Sequence, residues 1–243
     1  MRSCFFDPPN KNDSNEKQTK KISFDIYLSN EKKELPNIGG IFGPREINSG
    51  CTDYNNIIIW RKEEHMKLIL HESIHFYNLD GSLDLSNQNN QINLECHYQI
   101  GDRNETRIYE AYTETLAVFL NSFANSYQIY YLDHKNKHIR SENELTLNDI
   151  DNINNIRCYL WNLERKFALI QISKIFLHFN PNSNDFNDFL INSENNKDVC
   201  KIKRSDMLYK LEQRTSVLSY HILKGANIFF DLEFIKWIPD IYN

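Results

Sequence analysis

The sequence predicts an α+β fold with a small N-terminal β-sheet, a central helix and a C-terminal, mostly helical lobe. Two short stretches near the N-terminus, residues 22–28 and 56–60, have the composition of β-strands. From about residue 61 onwards, apolar residues recur at helical spacing instead. Strands followed by a run of helices are typical of α+β folds.

The two strands and the central helix follow from local patterns. Apolar and polar residues alternate in Ile22–Leu28, which is typical of a half-buried strand. Asn56–Trp60 is short and rich in β-branched residues, so we expect a second, more deeply buried strand. The central helix should open at Arg61–Glu64, where two acidic residues suit the N-terminal end of the helix dipole. It should end within Asn78–Gly81, where Gly81 is a natural stop, since glycine readily adopts the left-handed conformation that closes many helices.

Three helices are predicted after the central one. Asp102–Glu105 has capping-box spacing, and the helix that it starts should run towards Tyr131. A second helix should run from about Leu147 to the break at Asn180–Asn182. Its predicted apolar face comprises Ile150, Ile153, Leu160, Leu163, Phe167, Ile170 and Ile175. The last helix should span 205–223 and stop before Gly225.

Composition restricts the class of protein. The chain has 243 residues, 40% of them hydrophobic and 13% aromatic, as expected of a globular protein with a sizeable core. A net charge of −5 argues against a nucleic-acid partner. No apolar run reaches the roughly 18 residues of a membrane span, so no membrane partner is predicted.

The expected location is intracellular. The five cysteines are scattered and include no Cys-x-x-Cys pair, and the N-terminus has no apolar signal segment. Heavy use of Asn, Ile and Lys is typical of an AT-rich coding genome, such as that of a large DNA virus or a protist. We therefore expect the cytoplasm, the cytoplasm of a host or a virion.

A His-Glu-x-x-His motif lies in the central helix, within the apolar run Leu68–Phe76. Residues four apart lie above each other on a helix, so His71 and His75 can each offer a nitrogen to one Zn²⁺ at about 2.0–2.1 Å. Glu72 is turned about a quarter of the way round the helix. It can reach a metal-bound water there without ligating the metal, and we predict that it is the general base.

A catalytic zinc site usually has three protein ligands, so a third ligand is required. A metzincin-type site needs glycine and histidine at the positions of Asn78 and Gly81, which excludes that arrangement. Cys51 invites comparison with deformylases, but their glycine-rich segment is absent. Asp80 lies too close to His75 in the sequence to swing back onto the metal easily.

The remaining candidates are Glu110 and Glu114, one turn apart on the next predicted helix. The stretch Tyr109–Glu114 resembles the Asn-Glu-Ala-x-x-Asp of the gluzincins, the thermolysin-like zinc peptidases, with tyrosine and glutamate replacing its first and last residues. The resemblance covers about residues 60–120. It implies that Glu110 is the third ligand and that Glu114 orients His71. The alanine that follows Glu110 would also let the two helices approach closely.

A donor that stabilises the oxyanion of the transition state is also needed. In gluzincins this donor is a tyrosine or histidine from elsewhere in the chain, and the polar stretch 214–221 offers Tyr220 and His221. We take Tyr220 as the donor and His221 as the alternative. Other candidates that the sequence does not rank are His97, Tyr98, Tyr109 and Tyr112.

These residues predict a zinc metallopeptidase that acts on a peptide or protein substrate through metal-activated water. Two alternatives remain open. The first is a catalytically inactive zinc-fold protein with a structural or interaction role, for example in a large DNA virus. The second is a His-Glu-x-x-His hydrolase of a small amide. An intact Glu72 argues against the first, because a structural metal site needs no base there.

The chain is divided into three parts on this basis. Residues 1–20 are polar and should form a flexible tail. Residues 21–132 should form a zincin-like catalytic core that contains both helices of the zinc site. Residues 133–243 should form a helical lobe that packs on this core.

Overall fold

The N-terminal part of the protein forms one small mixed sheet, followed by a mostly helical region. The structure is a computed structural model that describes residues 22–38, 40–53, 55–80, 107–135, 145–179, 215–217 and 219–229. The strands are β1 (Ser23–Ser29), β2 (Gly50–Asp53) and β3 (Asn56–Arg61), in the order β1-β3-β2. β3 pairs parallel with β1 and antiparallel with β2. The α+β prediction is confirmed at this level.

Five α-helices are present among the described residues. They are α1 (Pro44–Ile47), α2 (His65–Phe76), α3 (Ile108–Lys135), α4 (Leu147–Phe179) and α5 (Lys224–Phe229), and a π-helical turn, Ser219–Leu223, immediately precedes α5. None of the described helices is long and apolar enough to cross a membrane. The predicted tail, residues 1–20, lies outside the described residues. The predicted boundary after residue 132 falls within the last turn of α3 and stays a prediction.

The two predicted strands differ in burial. β3 is the more deeply buried, as predicted, and its Ile57 and Ile59 pack against Leu68 and Phe76 of α2. β1 is not half-buried, since six of its seven residues are exposed. Its place at the edge of the sheet does not explain this exposure, since β2 lies at the other edge and is mostly buried. Alternation in sequence therefore identified the strand but not a buried face.

Helix α2 is shorter at both ends than predicted. It begins at His65, because Arg61 is still part of β3 and a turn separates the two elements. It ends at Phe76, and Asn78 then takes a left-handed conformation with a φ of 54°. Asparagine tolerates this conformation better than most residues, so the chain leaves the helix at the first residue of the predicted stretch, Asn78–Gly81. Gly81 lies outside the described residues.

Helix α3 packs against other helices on two sides. Residues 110–118 are all buried, as expected of a helix that is surrounded by other elements. One side packs on α2 through Ile74, Tyr112, Leu116 and Ala117. The other side packs on α4 and α5 through Val118, Trp161, Ala168 and Ile228. The predicted start of this helix at 102–105 lies outside the described residues.

The long helix α4 is confirmed, but its predicted buried face is wrong in part. Ile153 and Ile175 are buried, together with Trp161 and Ala168. The exposed members of the predicted face are Ile150, Leu163, Phe167 and Ile170. The helix carries two neighbouring apolar stripes, and packing against α3 selects the one that contains Trp161 and Ala168.

The predicted end of the last helix is also wrong. Helix α5 continues through Gly225 to Phe229. A Cβ atom on Gly225 would lie 2.6 Å from Cδ1 of Ile172 in α4. The glycine therefore permits close packing of two helices and does not end the second one. The predicted residues 205–214 of this helix lie outside the described residues.

Candidate metal centre

Helices α2 and α3 bring three potential ligand atoms together. His71 and His75 lie one turn apart on α2, and their Nε2 atoms are 3.1 Å apart. Oε2 of Glu110, from the first turn of α3, lies 3.3 Å from Nε2 of His75 and 3.6 Å from Nε2 of His71. Among the described residues, these three form the group of His, Cys, Asp and Glu side chains that could hold a metal ion.

The dimensions of this ligand triangle suit a tetrahedral ion. For ligands at 2.0–2.1 Å, neighbouring corners of a tetrahedron are about 3.3–3.4 Å apart. The three separations, 3.1, 3.3 and 3.6 Å, lie close to that value. Oε2 of Glu110 is buried and has no hydrogen-bond partner. A buried carboxylate oxygen without a donor would be costly unless it binds a cation.

The electrostatics of the triangle favour positive charge. Burial alone would lower the pKa of His75, but the charge of Glu110 and the contact with Asp80 raise it well above its usual value. Burial also opposes ionisation of Glu110, yet the two histidines hold its pKa below the usual range. The carboxylates of Glu110 and Asp80 therefore favour positive charge at the His75 imidazole, and the lowered pKa of Glu110 is the reciprocal effect of the imidazoles. A metal cation bound between them would take the place of that positive charge.

Glu114 lies behind His71, on the side away from the other two ligands. Its Oε2 is 3.0 Å from Nδ1 of His71, in ion-pair contact but off the line of a hydrogen bond. Burial alone would lower the pKa of His71, but contacts with Glu110 and Glu114 raise it. Glu114 thus contacts His71 at Nδ1, and its role in orienting that histidine stays a prediction.

Asp80 makes the corresponding contact with the second histidine. Its Oδ2 lies 2.6 Å from Nδ1 of His75 and accepts a hydrogen bond from Oγ1 of Thr113 at 3.1 Å. The sequence indicates Asp80 only as a possible metal ligand and does not predict this contact. The sequence feature that could have indicated this contact is an acidic residue shortly after His75, beyond the turn at Asn78. Each histidine thus has a carboxylate in contact with its Nδ1 atom, the nitrogen that points away from the ligand triangle.

We expect Asp80→Ala to weaken zinc binding without abolishing it. Loss of a carboxylate that orients a ligating histidine typically costs about 10–100-fold in metal affinity or activity. Competitive titration with a chelator measures the change. Thr113→Val, which removes a hydrogen bond to Asp80 but keeps its carboxylate, should have a smaller effect. Unchanged affinity in Asp80→Ala would mean that another group orients His75.

Strand β2 contacts the side chain of Glu72, which belongs to α2. The side chain is buried, and its Oε2 accepts a hydrogen bond from Oγ1 of Thr52 at 2.7 Å. A Cβ atom on Gly50 would lie 3.3 Å from Oε1 of Glu72, so the missing side chain makes room for the carboxylate. Glu72 is consequently fixed next to the ligand triangle but is not one of its three members.

The C-terminal π-helical turn brings Tyr220 to the centre. Its ring centroid lies 6.0 Å from that of His71. Burial raises the pKa of Tyr220 well above its usual value, and the charges of Glu110 and Glu72 raise it further. The hydroxyl group therefore stays protonated and can donate a hydrogen bond. In the sequence, this residue is indicated only by the polar density of residues 214–221 and by the resemblance to gluzincins.

His221 has different neighbours. Burial lowers its pKa to about 3, and Lys224 contributes further. The charge of Glu114 acts in the opposite direction. Nδ1 of His221 is buried and has no hydrogen-bond partner.

The other sequence candidates fall into four groups. Tyr109 lies near the centre, with its ring centroid 6.2 Å from that of His75. Tyr112 is buried in the interface between α2 and α3. Cys51 is on β2, is not in a disulfide and is not part of the ligand triangle. His97 and Tyr98 lie outside the described residues.

The chain matches no protein-family model, no curated protein and no solved structure. The class of site is defined by its residues: a buried group of two histidines and one glutamate that could hold a metal ion. A second carboxylate, Glu72, lies beside the group on the same helix as the histidines.

Proposed function

We propose that the protein is a zinc-dependent metallopeptidase. The observation that carries the proposal is the ligand triangle of His71, His75 and Glu110, whose separations suit a tetrahedral ion. Two imidazoles and a carboxylate are a usual donor set for catalytic zinc, in which the fourth position is left for water. Glu72, held beside this triangle without joining it, supports a catalytic site over a structural one.

The chain supplies the acid–base chemistry. A zinc ion bound here would act as a Lewis acid and make water a nucleophile near neutral pH. Glu72 would accept the proton of that water and pass it to the leaving amine. The Tyr220 hydroxyl would donate a hydrogen bond to the substrate oxygen that becomes negative. Glu114 and Asp80 would keep the two imidazoles in their ligating orientation.

A peptide substrate is favoured by the resemblance of Tyr109–Glu114 to the gluzincin pattern. The purified protein should contain about one zinc per chain and should cleave members of a peptide library. A chelator should abolish cleavage, and added zinc should restore it. Hydrolysis of small amides alone would indicate the second alternative, and zinc binding without hydrolysis would indicate an inactive zinc-fold protein. Failure to bind any transition metal would refute the proposal.

We expect Tyr220→Phe to lower kcat by about 10²–10³-fold, the usual cost of one oxyanion donor. Zinc content and thermal stability should change little, because the ring is retained. His221→Ala serves as the comparison, since it alters the next residue in the same π-helical turn. Full activity in Tyr220→Phe, or a loss confined to His221→Ala, would transfer the role to another residue.

A further inference from the structure

Glu114 contacts basic groups from two other helices. Its Oε2 faces His71, while its Oε1 lies 2.7 Å from Nζ of Lys67 and 3.5 Å from Nζ of Lys224. Burial would raise the pKa of Glu114, but the charges of Lys67 and Lys224 hold it well below the usual range. The carboxylate that orients His71 is thus ionised and joins α2, α3 and α5.

The two lysines differ in their dependence on Glu114. Lys67 is half-buried and also lies 3.5 Å from Glu64, which pairs in turn with Lys33 at 2.9 Å. Lys224 is buried, and among the described residues Glu114 is the acid with which it forms an ion pair. An unpaired charge in the interior is strongly destabilising. The ion pair of Lys224 with Glu114 therefore links α5 to α3.

A C-terminal segment, residues 219–229, runs along α3 in the same direction as that helix. Three polar contacts define its position: Ser219 Oγ accepts from the backbone N–H of Arg107 at 3.0 Å, Lys224 pairs with Glu114, and Asn227 donates to Oγ1 of Thr115 at 3.3 Å. Tyr220 lies between the first two contacts on this segment, and Glu110 lies between them on α3. The alignment of the two elements therefore brings Tyr220 beside the ligand triangle.

We propose that Lys224 is a positioning residue whose ion pair with Glu114 fixes the C-terminal segment along α3 and so places the Tyr220 hydroxyl at the metal centre. Lys224 need not touch the substrate. The π-helical turn between Ser219 and Lys224 is of a kind found frequently at functional sites. The inference rests on the proposed function, because it assumes that Tyr220 acts in catalysis.

Lys224→Met tests the proposal, since it removes the charge and keeps most of the length of the side chain. We expect kcat for peptide cleavage to fall by about 10–100-fold, as for other groups that orient a catalytic residue. KM should change little, because Tyr220 acts in the transition state. Lys224→Arg, which keeps the charge, should recover most of the activity. Lys33→Met, a charge loss at the outer end of the same ion-pair chain, should resemble wild type.

A double variant separates positioning of Tyr220 from a general loss of stability. If Lys224 acts through Tyr220, Lys224→Met should have little further effect on kcat in the Tyr220→Phe background. Independent effects of the two substitutions would overturn the proposal. So would a Lys224→Met variant as active as Lys33→Met.

Hydrogen exchange gives a readout that does not depend on activity. Amides of residues 219–223 should exchange faster in Lys224→Met than in wild type, and not in Lys33→Met. Unchanged exchange in Lys224→Met would overturn the positioning role even if the protein proves to be a peptidase. Faster exchange in a protein that cleaves no peptide would support the positioning and refute the proposed function. If Lys224→Met does not fold, Ser219→Ala removes the neighbouring anchor and should show the same dependence on Tyr220.

Discussion

Replacement of Glu72 by glutamine should leave zinc bound and lower kcat by about 10²–10⁴-fold, the usual contribution of a positioned acid–base group. Glutamine has nearly the same shape, so it can occupy the space above Gly50 and keep a hydrogen bond with Thr52. It cannot accept a proton from water. The ligand triangle does not include Glu72, so zinc affinity should stay close to that of wild type.

Steady-state kinetics with a cleaved peptide and metal analysis of the same preparation test this prediction. Glu63→Gln is a matched control, because Glu63 is an exposed acid just before the same helix. Thr52→Val should have an intermediate effect, since it removes the hydrogen bond that aims the Glu72 carboxylate. If Glu72→Gln kept its peptidase activity, another group would be the base. If it lost zinc, Glu72 would have a structural role.

Replacement of Glu110 by alanine should abolish tight zinc binding, whereas Glu114→Ala should weaken it by about 10–100-fold. The difference follows from position. Oε2 of Glu110 lies within 3.6 Å of both Nε2 atoms, on the inner side of the imidazoles. Oε2 of Glu114 lies on the outer nitrogen of His71 and cannot reach the same ion without moving.

Competitive titration with a chelator measures both affinities. His71→Ala and His75→Ala should resemble Glu110→Ala, and Glu114→Ala should recover part of its peptidase activity when zinc is supplied in excess. Glu110→Gln keeps the volume of the side chain and tests whether the charge itself is required. The opposite ranking of Glu110→Ala and Glu114→Ala would exchange the two roles. Near-wild-type affinity in both would show that the third ligand lies elsewhere.

The sequence alone predicted the parts of the centre that depend on local geometry. His71 and His75 are four residues apart, and so are Glu110 and Glu114, so each pair shares one helix face wherever a helix forms. The β-branched run of β3 and the apolar pattern of α4 identified those elements for the same reason. Such patterns extend over a few residues, and they do not depend on how the neighbouring elements are arranged.

Helix ends were less predictable, because several residues can end a helix. The stretch Asn78–Gly81 is predicted to end α2, with Gly81 as its natural stop, and within that stretch Asn78 takes the left-handed conformation. Gly225 was chosen as the stop after the last helix, but its lack of a side chain serves packing against Ile172. Glycine has two uses, in a left-handed backbone and at a close contact, and its sequence context did not separate them.

Three contacts of the centre are visible only in the tertiary structure: Asp80 with His75, Thr52 with Glu72, and Lys224 with Glu114. Each of these contacts joins a helix to a turn, a strand or another helix, and periodicity within one element carries no information about its neighbours. The same holds for Tyr220, which is more than a hundred residues from Glu110 in the sequence. Its position depends on how residues 219–229 align with α3, and we propose that the buried ion pair between Lys224 and Glu114 fixes that alignment.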